Sequence, residues 1–563
     1  MQNLISLFTI LFLLTEISLS DLPQAKRTKN AMVVSADSNA TRAGIEVLQK
    51  GGNAIDAAVA VGFALAVTYP QAGNIGGGGF MLIRMADGKT HSIDYREKAP
   101  KFADRNMYLD ENKNANLQKS QIGHLAVGVP GAVSGLLLAQ EKFGLKKRRD
   151  VIAPAIKLAE KGFPIHYQFA DDLKYDNKDL SMFESTKKYF TKNGEPYTEG
   201  EILIQKDLAE TLKRISEFGR DGFYKGATAK LIVEEMNRGG GLITLDDLNS
   251  YNAKEREVVK SNYKDYEIIS MGPPSSGGTA VIQILNILEK YDLKNFGWNS
   301  SNYVHTVAEA MRRVYADRAE FLGDPDFTKI PLEWLLSKKY SDSRRESINS
   351  DKATPSSEIK HGIAPNYESP QTTHYSVVDK FGNCVSVTTT LNGGFGSYVS
   401  VAGAGFLLNN EMDDFSAKPG VPNMFGLVGG EANSIIPEKR MLSSMTPTIV
   451  LKNGKPILVI GSPGGATIIT TVLQVILNVV EFDMNIRQAI DAPRFHHQWL
   501  PDQIFFEKNA ISKDAILNLE KMGHKLTERK SSSGLAEGIY FDYENNLLLG
   551  HSDSRGYGAA IGY

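Results

Sequence analysis

β-Branched and aromatic residues dominate two short stretches of the chain, residues 373–378 and 384–390. Turn-forming residues at 379–383 separate the stretches, so the pattern predicts a β-hairpin. Closing the hairpin at the facing ends of the two stretches places Thr372 opposite Thr390. Directly opposed side chains share a face of the sheet, with Cβ atoms about 5 Å apart. The pattern therefore predicts that the two threonines meet, although an ordinary sheet-stabilising pair fits it as well.

A second hairpin and a long apolar helix are predicted further along the chain. Apolar residues at 447–451 and 457–460 flank Asn453 and Gly454, a dipeptide that favours tight hairpin turns. Residues 466–482 are apolar on nearly every side, which predicts a buried helix. Hairpin strands combined with helices that pack on both of their faces predict a layered α/β fold.

Two glycine pairs stand just before apolar segments. Gly464 and Gly465 form one pair, and Gly277 and Gly278 form the other. Backbone N–H groups at the start of a helix have no partner within the helix, so they can stabilise a developing negative charge. The pattern alone leaves open which pair serves such a purpose.

Composition limits the range of partners. The chain has 563 residues, enough for several domains or one long α/β unit, with 63 Lys and Arg against 65 Asp and Glu. This balance gives no electrostatic reason to expect nucleic acid or an anionic membrane. Cys384 is the single cysteine, so neither an intramolecular disulfide nor a cysteine-based metal cluster can form. Its place in the first hairpin predicts a packed side chain rather than a thiol nucleophile.

The N-terminal segment indicates export. Residues 4–14 are apolar, but a bilayer span takes about 20 residues, and this length is typical of a signal-peptide core. Small residues, Ser18 and Ser20, stand at the two positions that signal peptidase reads. The first three residues carry no Lys or Arg, which departs from the usual pattern. We expect residues 1–20 to be a signal peptide of a periplasmic or secreted protein without a membrane span.

Thr372 is a candidate nucleophile if the chain is cut before it. An α-amino group has a pKa of roughly 7.7–8 and can act as the base for a hydroxyl on the same residue. An interior peptide nitrogen cannot do this, so the bond between Gln371 and Thr372 must break. We expect the Thr372 hydroxyl to attack the Gln371 carbonyl and form an ester that water opens. Thr390 would then hydrogen-bond and orient the freed nucleophile.

The sequence resembles the γ-glutamyltranspeptidase (γ-glutamyltransferase) family. Five motifs carry the resemblance: QTTHYS at 371–376, TLN at 390–392, NNEMDDFS at 409–416, SSMTP at 443–447 and GSPGG at 461–465. The similarity extends over essentially everything after the leader. It implies the four-layer αββα fold of N-terminal nucleophile hydrolases. It also implies a heterodimer of a large subunit, residues 21–371, and a small subunit, residues 372–563, produced from one precursor by autocatalytic cleavage.

The resemblance also implies roles for individual residues. Thr372 matches the nucleophile, Thr390 its partner, and Gly464 and Gly465 the oxyanion hole. The substrate-binding positions match Arg96, Asn392, Glu411, Asp414, Ser443 and Ser444, and the lid aromatic matches Phe425. A γ-glutamyl group presents an α-carboxylate, which arginine and serine hydroxyls can bind, and an α-ammonium, which suits carboxylate and amide oxygens. We therefore expect opposite charges on two sides of a small pocket.

The implied reaction is a two-step acyl transfer. Thr372 takes the γ-glutamyl group from glutathione or another γ-glutamyl compound, and water or an amino acid or dipeptide acceptor then removes it. No metal or organic cofactor is required. The adjacent His496 and His497 diverge on either a strand or a helix and lack metal-ligand spacing.

Two positions depart from the family pattern. Some bacterial relatives carry glutamine where Glu411 stands, and we expect the difference to change affinity or pH dependence rather than abolish function. Many relatives carry tyrosine where Phe425 stands, in a lid-like segment at 419–440. A phenyl ring makes no phenolic hydrogen bond, so we expect looser lid closure.

Two other functions compete with this one. An acylase of the same fold would cleave glutaryl or similar side chains from β-lactam nuclei; glutaryl lacks the α-ammonium, so Glu411 and Asp414 favour γ-glutamyl. A non-catalytic exported binding protein would leave Thr372 uncleaved. A serine hydrolase centred on Ser462 is excluded, because the residues around it do not form the Gly-x-Ser-x-Gly elbow.

Overall fold

The computed structural model describes residues 24–359 and 372–563. The predicted signal peptide and Gln371 lie outside these ranges. The described strands are β1 (Lys26–Thr28), β2 (Met32–Ser35), β3 (Gly78–Arg84), β4 (Thr90–Asp94), β5 (Phe163–Pro164), β6 (Thr191–Lys192), β7 (Glu195–Pro196), β8 (Ile202–Leu203), β9 (Lys254–Arg256), β10 (Val258–Tyr263), β11 (Tyr266–Met271), β12 (Thr373–Val378), β13 (Cys384–Thr390), β14 (Thr448–Lys452), β15 (Lys455–Gly461), β16 (Phe495–His496), β17 (Ile504–Phe506), β18 (Leu526–Glu528), β19 (Glu537–Asp542), β20 (Leu547–Ser552) and β21 (Ala559–Gly562).

Helices surround these strands. The described α-helices are α1 (Ser38–Gln49), α2 (Ala54–Thr68), α3 (Gln118–Gln121), α4 (Ala132–Phe143), α5 (Arg148–Lys161), α6 (Tyr167–Tyr175), α7 (Asn177–Leu180), α8 (Glu184–Phe190), α9 (Lys206–Phe218), α10 (Asp221–Tyr224), α11 (Gly226–Gly239), α12 (Leu245–Ser250), α13 (Gly277–Leu288), α14 (Leu293–Phe296), α15 (Ser301–Phe321), α16 (Leu332–Leu336), α17 (Lys338–Glu346), α18 (Thr467–Val480), α19 (Ile486–Asp491) and α20 (Lys513–Lys521). Short 3₁₀ helices form at His124–Ala126, Glu411–Asp414 and Glu431–Asn433.

Two seven-stranded sheets form the centre of the fold. Their strand orders are β1-β20-β19-β15-β14-β11-β10 and β21-β2-β12-β13-β3-β4-β9. Apolar side chains from both sheets, among them Val34, Leu82, Ile449 and Val459, pack in one cluster between them. Helices such as α2 and α4 pack with the second sheet, while α13 and α18 pack with the first. The four-layer αββα prediction is confirmed.

The first hairpin has the predicted register. In the β12–β13 ladder Thr373 pairs with Thr389 and Val378 with Cys384, so Thr372 stands opposite Thr390 just beyond the end of the ladder. β12 and β13 lie between β2 and β3, and every residue of both strands is buried. The Cys384 side chain packs between the sheets, where burial raises the pKa of its thiol to about 12.

The second hairpin and its helix differ from prediction only at the ends. β14 and β15 pair across a turn at Asn453 and Gly454, both with positive φ. α18 begins at Thr467 and ends at Val480, so it is one residue shorter at its start and two residues shorter at its end than the predicted segment.

The competing glycine pair, Gly277 and Gly278, lies inside the first turn of α13. A Cβ at Gly277 would lie 2.1 Å from Thr446 Oγ1, and one at Gly278 would lie 2.3 Å from the Met271 carbonyl oxygen. These glycines are therefore required by close packing. Among the described residues, no helix has the length and apolar character needed to cross a membrane.

Candidate active site

The predicted site residues converge on one small cavity beside Thr372. Its volume is about 20 Å³, roughly the space of one water molecule. The lining includes Arg96, Thr372, Thr390, Asn392, Glu411, Asp414, Phe425, Ser443, Ser444 and Gly465. Gly464 lines a neighbouring cavity that Thr372 also borders, and Gln371 lies outside the described residues.

Thr372 immediately precedes β12 and is 6% exposed. Thr390 ends β13, and its Oγ1 accepts a hydrogen bond of 2.8 Å from the Asn392 backbone N–H. Asn392 has a φ of 76°, which turns the chain so that its N–H reaches back to Thr390. A hydroxyl that accepts from a backbone N–H keeps its own hydrogen for donation. The ends of two central strands thus hold both threonines at the cavity wall.

Arg96 makes ion pairs with two carboxylates of the predicted substrate pocket. Its Nη1 contacts Glu411 Oε1 and its Nη2 contacts Asp414 Oδ2. Arg96 and Glu411 are buried almost completely. The prediction placed these opposite charges on two sides of the pocket, whereas the structure brings them into contact. Separated charges are costly in a water-poor interior, and this contact lets them neutralise one another.

Glu97 adds a third carboxylate to this cluster. Its Oε2 lies 3.6 Å from Arg96 Nη1, and the residue is fully buried. Burial raises the pKa of Glu97 to about 7, and it raises those of Glu411 and Asp414 as well, although the Arg96 guanidinium opposes each shift. Three carboxylates thus surround one guanidinium, which leaves an excess of negative charge when all are ionised.

Arg318 reaches the same region from α15. Its Nη2 donates to Ser444 Oγ at 3.1 Å, and its Nε donates to Ser276 Oγ at 2.9 Å. Burial lowers the pKa of Arg318. Sequence reasoning did not assign Glu97 or Arg318 to the site, since charged side chains are ordinarily solvent-exposed.

Phe425 covers the cavity. Its ring lies against Gly465, where a Cβ would be 2.6 Å from Phe425 Cδ1. Asn423 ties this segment to the charged cluster by donating from Nδ2 to Asp414 Oδ1 at 2.9 Å. The Gln498 side chain donates to the Gly426 carbonyl oxygen at 3.1 Å. The segment therefore lies closed over the cavity, with contacts to both the pocket and the core.

The glycine pair before α18 adopts a backbone that few other residues tolerate. Gly464 has a φ of 136° and Gly465 a φ of 53°. A Cβ at Gly464 would lie 2.4 Å from Thr467 Oγ1. Both steric space and backbone conformation therefore require glycine beside Thr372.

His496 and His497 are buried and form hydrogen bonds within the core. His496 Nδ1 forms a hydrogen bond of 2.8 Å with Thr470 Oγ1, and its Nε2 forms one of the same length with Gln498 Oε1. His497 contacts Arg312. Within residues 24–359 and 372–563, no group of three or more His, Cys, Asp or Glu side chains is arranged to hold a metal ion.

Two antiparallel sheets between helical layers, with Thr372 immediately before a central strand, define the class of N-terminal nucleophile hydrolases. The chain belongs to the γ-glutamyltranspeptidase family, because the family model described as Gamma-glutamyltranspeptidase matches residues 40–563. It is 52% identical to the glutathione hydrolase proenzyme of Escherichia coli (strain K12) over 530 residues, 94% of this chain and 91% of that protein.

Solved structures agree with this assignment. The γ-glutamyltranspeptidase of Helicobacter pylori is 47% identical, with a TM-score of 0.57, over 61% of this chain and 97% of that chain. A cephalosporin acylase from Bacillus halodurans superposes with a TM-score of 0.85 at 26% identity, over 97% of this chain and 98% of that chain. The fold is therefore shared with acylases, so the choice of substrate depends on the residues of the pocket.

Proposed function

We propose that this protein is a γ-glutamyl hydrolase and transferase in which Thr372 is the nucleophile, and that glutathione is a donor substrate. One observation carries the proposal. Arg96 pairs with Glu411 and Asp414 in the cavity that Thr372 lines, and the buried Glu97 lies 3.6 Å from the same guanidinium. Full ionisation of these carboxylates calls for a further cation, and the α-ammonium of a γ-glutamyl group supplies one next to the α-carboxylate.

The precursor is cut between Gln371 and Thr372. The products are a large subunit, residues 21–371, and a small subunit, residues 372–563, which remain together as a heterodimer. Supporting observations are the position of Thr372 immediately before a central strand and the name proenzyme given to the Escherichia coli relative. Removal of residues 1–20 as a signal peptide, with delivery to the periplasm or medium, belongs to the same proposal.

Substrate binding replaces the ion pairs of Arg96 with Glu411 and Asp414 by ion pairs with the substrate. The α-carboxylate takes the place of Glu411 and Asp414 on Arg96, with Ser443 and Ser444 adding hydrogen bonds. The freed carboxylates and the Asn392 amide oxygen bind the α-ammonium. Because opposite charges remain paired throughout, the desolvation cost of burying the zwitterion is largely offset. The lid segment around Phe425 must move, since the cavity of about 20 Å³ is smaller than a γ-glutamyl group.

The reaction then follows from the position of Thr372. Its freed α-amino group takes the hydroxyl proton, and Oγ1 attacks the γ-carbonyl carbon. The N–H groups of Gly464 and Gly465 donate to the developing oxyanion, and the Thr390 hydroxyl orients the nucleophile. The C–N bond breaks, the proton passes to the leaving amine, and a γ-glutamyl ester remains on Thr372. Attack by water or an acceptor amine releases the product and restores the hydroxyl.

The charge excess also separates this function from that of a glutaryl acylase. We would compare γ-glutamyl-p-nitroanilide with glutaryl-p-nitroanilide, which differ only in the α-ammonium. A site built for a buried polar group rejects the analogue that lacks it, so kcat/KM should favour the γ-glutamyl compound by ~100-fold or more. Equal rates, or faster release from the glutaryl compound, would assign the protein to the acylases instead.

A further inference from the structure

A second cavity borders Thr372, next to the charged one. Its volume is about 360 Å³, and its lining includes Thr372 and Gly464, whereas Gly465 lines the charged cavity. The two cavities thus meet at the nucleophile and the glycine pair. When a γ-glutamyl group fills the charged cavity, an incoming amine must approach the ester carbon from another direction. The second cavity provides space for that approach.

Two buried polar atoms in this cavity are unpartnered. His166 is 8% exposed and caps α6, its Nδ1 accepting from the Phe169 backbone N–H at 3.2 Å. The ring proton therefore lies on Nε2, which has no hydrogen-bond partner in the described structure. Gln71 is 2% exposed, and its Oε1 likewise has no hydrogen-bond partner in the described structure. Buried polar groups rarely stay unsatisfied, so the cavity is equipped for a polar ligand.

The cavity also carries excess negative charge. Asp171 and Asp172 line it, and Asp172 Oδ2 accepts from Gln71 Nε2 at 3.2 Å. Arg555 is the cationic residue of the described lining, but its guanidinium is held by Asp553 at 2.9 Å and Glu507 at 2.8 Å. Burial lowers the pKa of His166 to about 4, so that ring is neutral near pH 7. Among the described residues neither aspartate has an ion-pair partner, and Asp171 is exposed while Asp172 is half-buried.

We propose that this second cavity is the acceptor subsite and that it prefers amino acids or dipeptides with a cationic side chain. Asp171 and Asp172 bind the cationic side chain, and His166 Nε2–H donates to a carboxylate or carbonyl oxygen of the acceptor. The neutral acceptor amine attacks the γ-glutamyl ester carbon and forms the new C–N bond. The bond to Thr372 Oγ1 breaks, and the amine proton passes through the Thr372 amino group to that oxygen. The inference rests on the proposed γ-glutamyl transfer.

The test compares two acceptors of similar length, lysine and norleucine, which differ in the terminal ammonium. Processed wild type is supplied with γ-glutamyl-p-nitroanilide, and the acceptor KM is obtained from formation of the γ-glutamyl amino acid. In the Asp171→Asn/Asp172→Asn variant the ratio of lysine KM to norleucine KM should rise about fivefold or more. Asp179→Asn, on α7 and outside the cavity lining, should leave the ratio unchanged. A ratio measured on one enzyme is insensitive to a general loss of activity.

A separate variant tests the role of His166. His166→Asn retains a side-chain oxygen that can cap α6 but loses the Nε2–H donor. Its KM for both acceptors should rise together, and so the lysine to norleucine ratio should stay as in wild type. An unchanged KM for both would remove His166 from the subsite.

Salt provides a measurement on unmodified protein if the aspartate variant fails to fold. The wild-type preference for lysine should shrink between low and high salt because ions screen partly exposed charges. A preference that neither salt nor the aspartate substitutions alter would overturn the inference, provided that wild type still hydrolyses the anilide. Wild type that releases no p-nitroaniline would contradict the proposed function itself, so the two failures are distinguishable.

Discussion

Arg96 and Glu411 form an ion pair inside the cavity that Thr372 lines. Both side chains are inaccessible to solvent. In the substrate binding proposed above, the α-carboxylate and the α-ammonium separate this pair and give each residue a new partner. We therefore expect the two residues to act as a gate for zwitterions, because a ligand with one charge would leave the other partner buried and unpaired.

Glu411→Gln tests the ammonium side of this gate. The glutamine carbonyl oxygen still accepts a hydrogen bond from the substrate ammonium but carries no charge, so we expect KM for γ-glutamyl-p-nitroanilide to change by less than ~10-fold. Activity should persist with a shifted pH profile. Glu255→Gln, which alters an exposed carboxylate paired with Lys142, serves as the control. Complete loss of hydrolysis in Glu411→Gln, with normal processing, would contradict this role.

Glu97→Gln tests whether the buried Glu97 carboxyl makes the free energy of unfolding depend on pH. In the folded protein the pKa of Glu97 is about 7, against an ordinary value of 4.5. Between these values the folded protein holds a proton that the unfolded chain has lost, so the free energy of unfolding falls as pH rises through this window. Each pKa unit corresponds to about 1.4 kcal/mol, so the loss for wild type is on the order of 3 kcal/mol.

The measurement is the denaturation midpoint at pH 5 and pH 8. Wild type should lose more stability between these pH values than Glu97→Gln, and the exposed Glu346→Gln should behave like wild type. Parallel pH profiles for wild type and Glu97→Gln would show that Glu97 is ionised throughout and compensated by Arg96.

Gly465→Ala tests the glycine pair beside the nucleophile. The new Cβ would lie 2.6 Å from the Phe425 ring on a backbone with a φ of 53°. We expect kcat/KM to fall by ~100-fold or more, since oxyanion donors contribute that much when displaced. Gly454→Ala controls for backbone strain alone, because it has a φ of 74° but nothing within 4 Å of the added Cβ. Comparable activity of both variants would argue against a role for Gly465 in catalysis.

Phe425→Tyr tests the lid. The phenyl ring already covers Gly465, and a phenolic hydroxyl adds a hydrogen bond that can hold the closed lid over bound substrate. KM for glutathione should decrease, while Phe381→Tyr, an exposed ring in the turn between β12 and β13, should have no effect. An unchanged KM for glutathione would contradict the prediction that the added hydroxyl holds the lid closed.

The local parts of the fold were predictable because short-range patterns determine them. The alternation in β12 and β13 and the short connection between them suffice to place Thr372 opposite Thr390. The same holds for the turn at Asn453, where a positive φ suits the residue type.

The arrangement of charges was not predictable. Arg96 and Glu411 are 315 residues apart, and no local pattern indicates that they touch. Family resemblance implies their partners on a substrate and says nothing of their contact with one another. Glu97 and Arg318 were missed for a related reason: the burial of a charged side chain is a property of tertiary packing, and sequence reasoning assigns such residues to the surface.

The most direct test is intact mass with N-terminal sequencing of purified wild type beside Thr372→Ala. Wild type should yield two polypeptides, the smaller beginning Thr372-Thr373-His374, and the alanine variant should remain one chain without γ-glutamyl hydrolase activity. A wild-type chain that stays whole, or one cut at another bond, would contradict the N-terminal threonine mechanism.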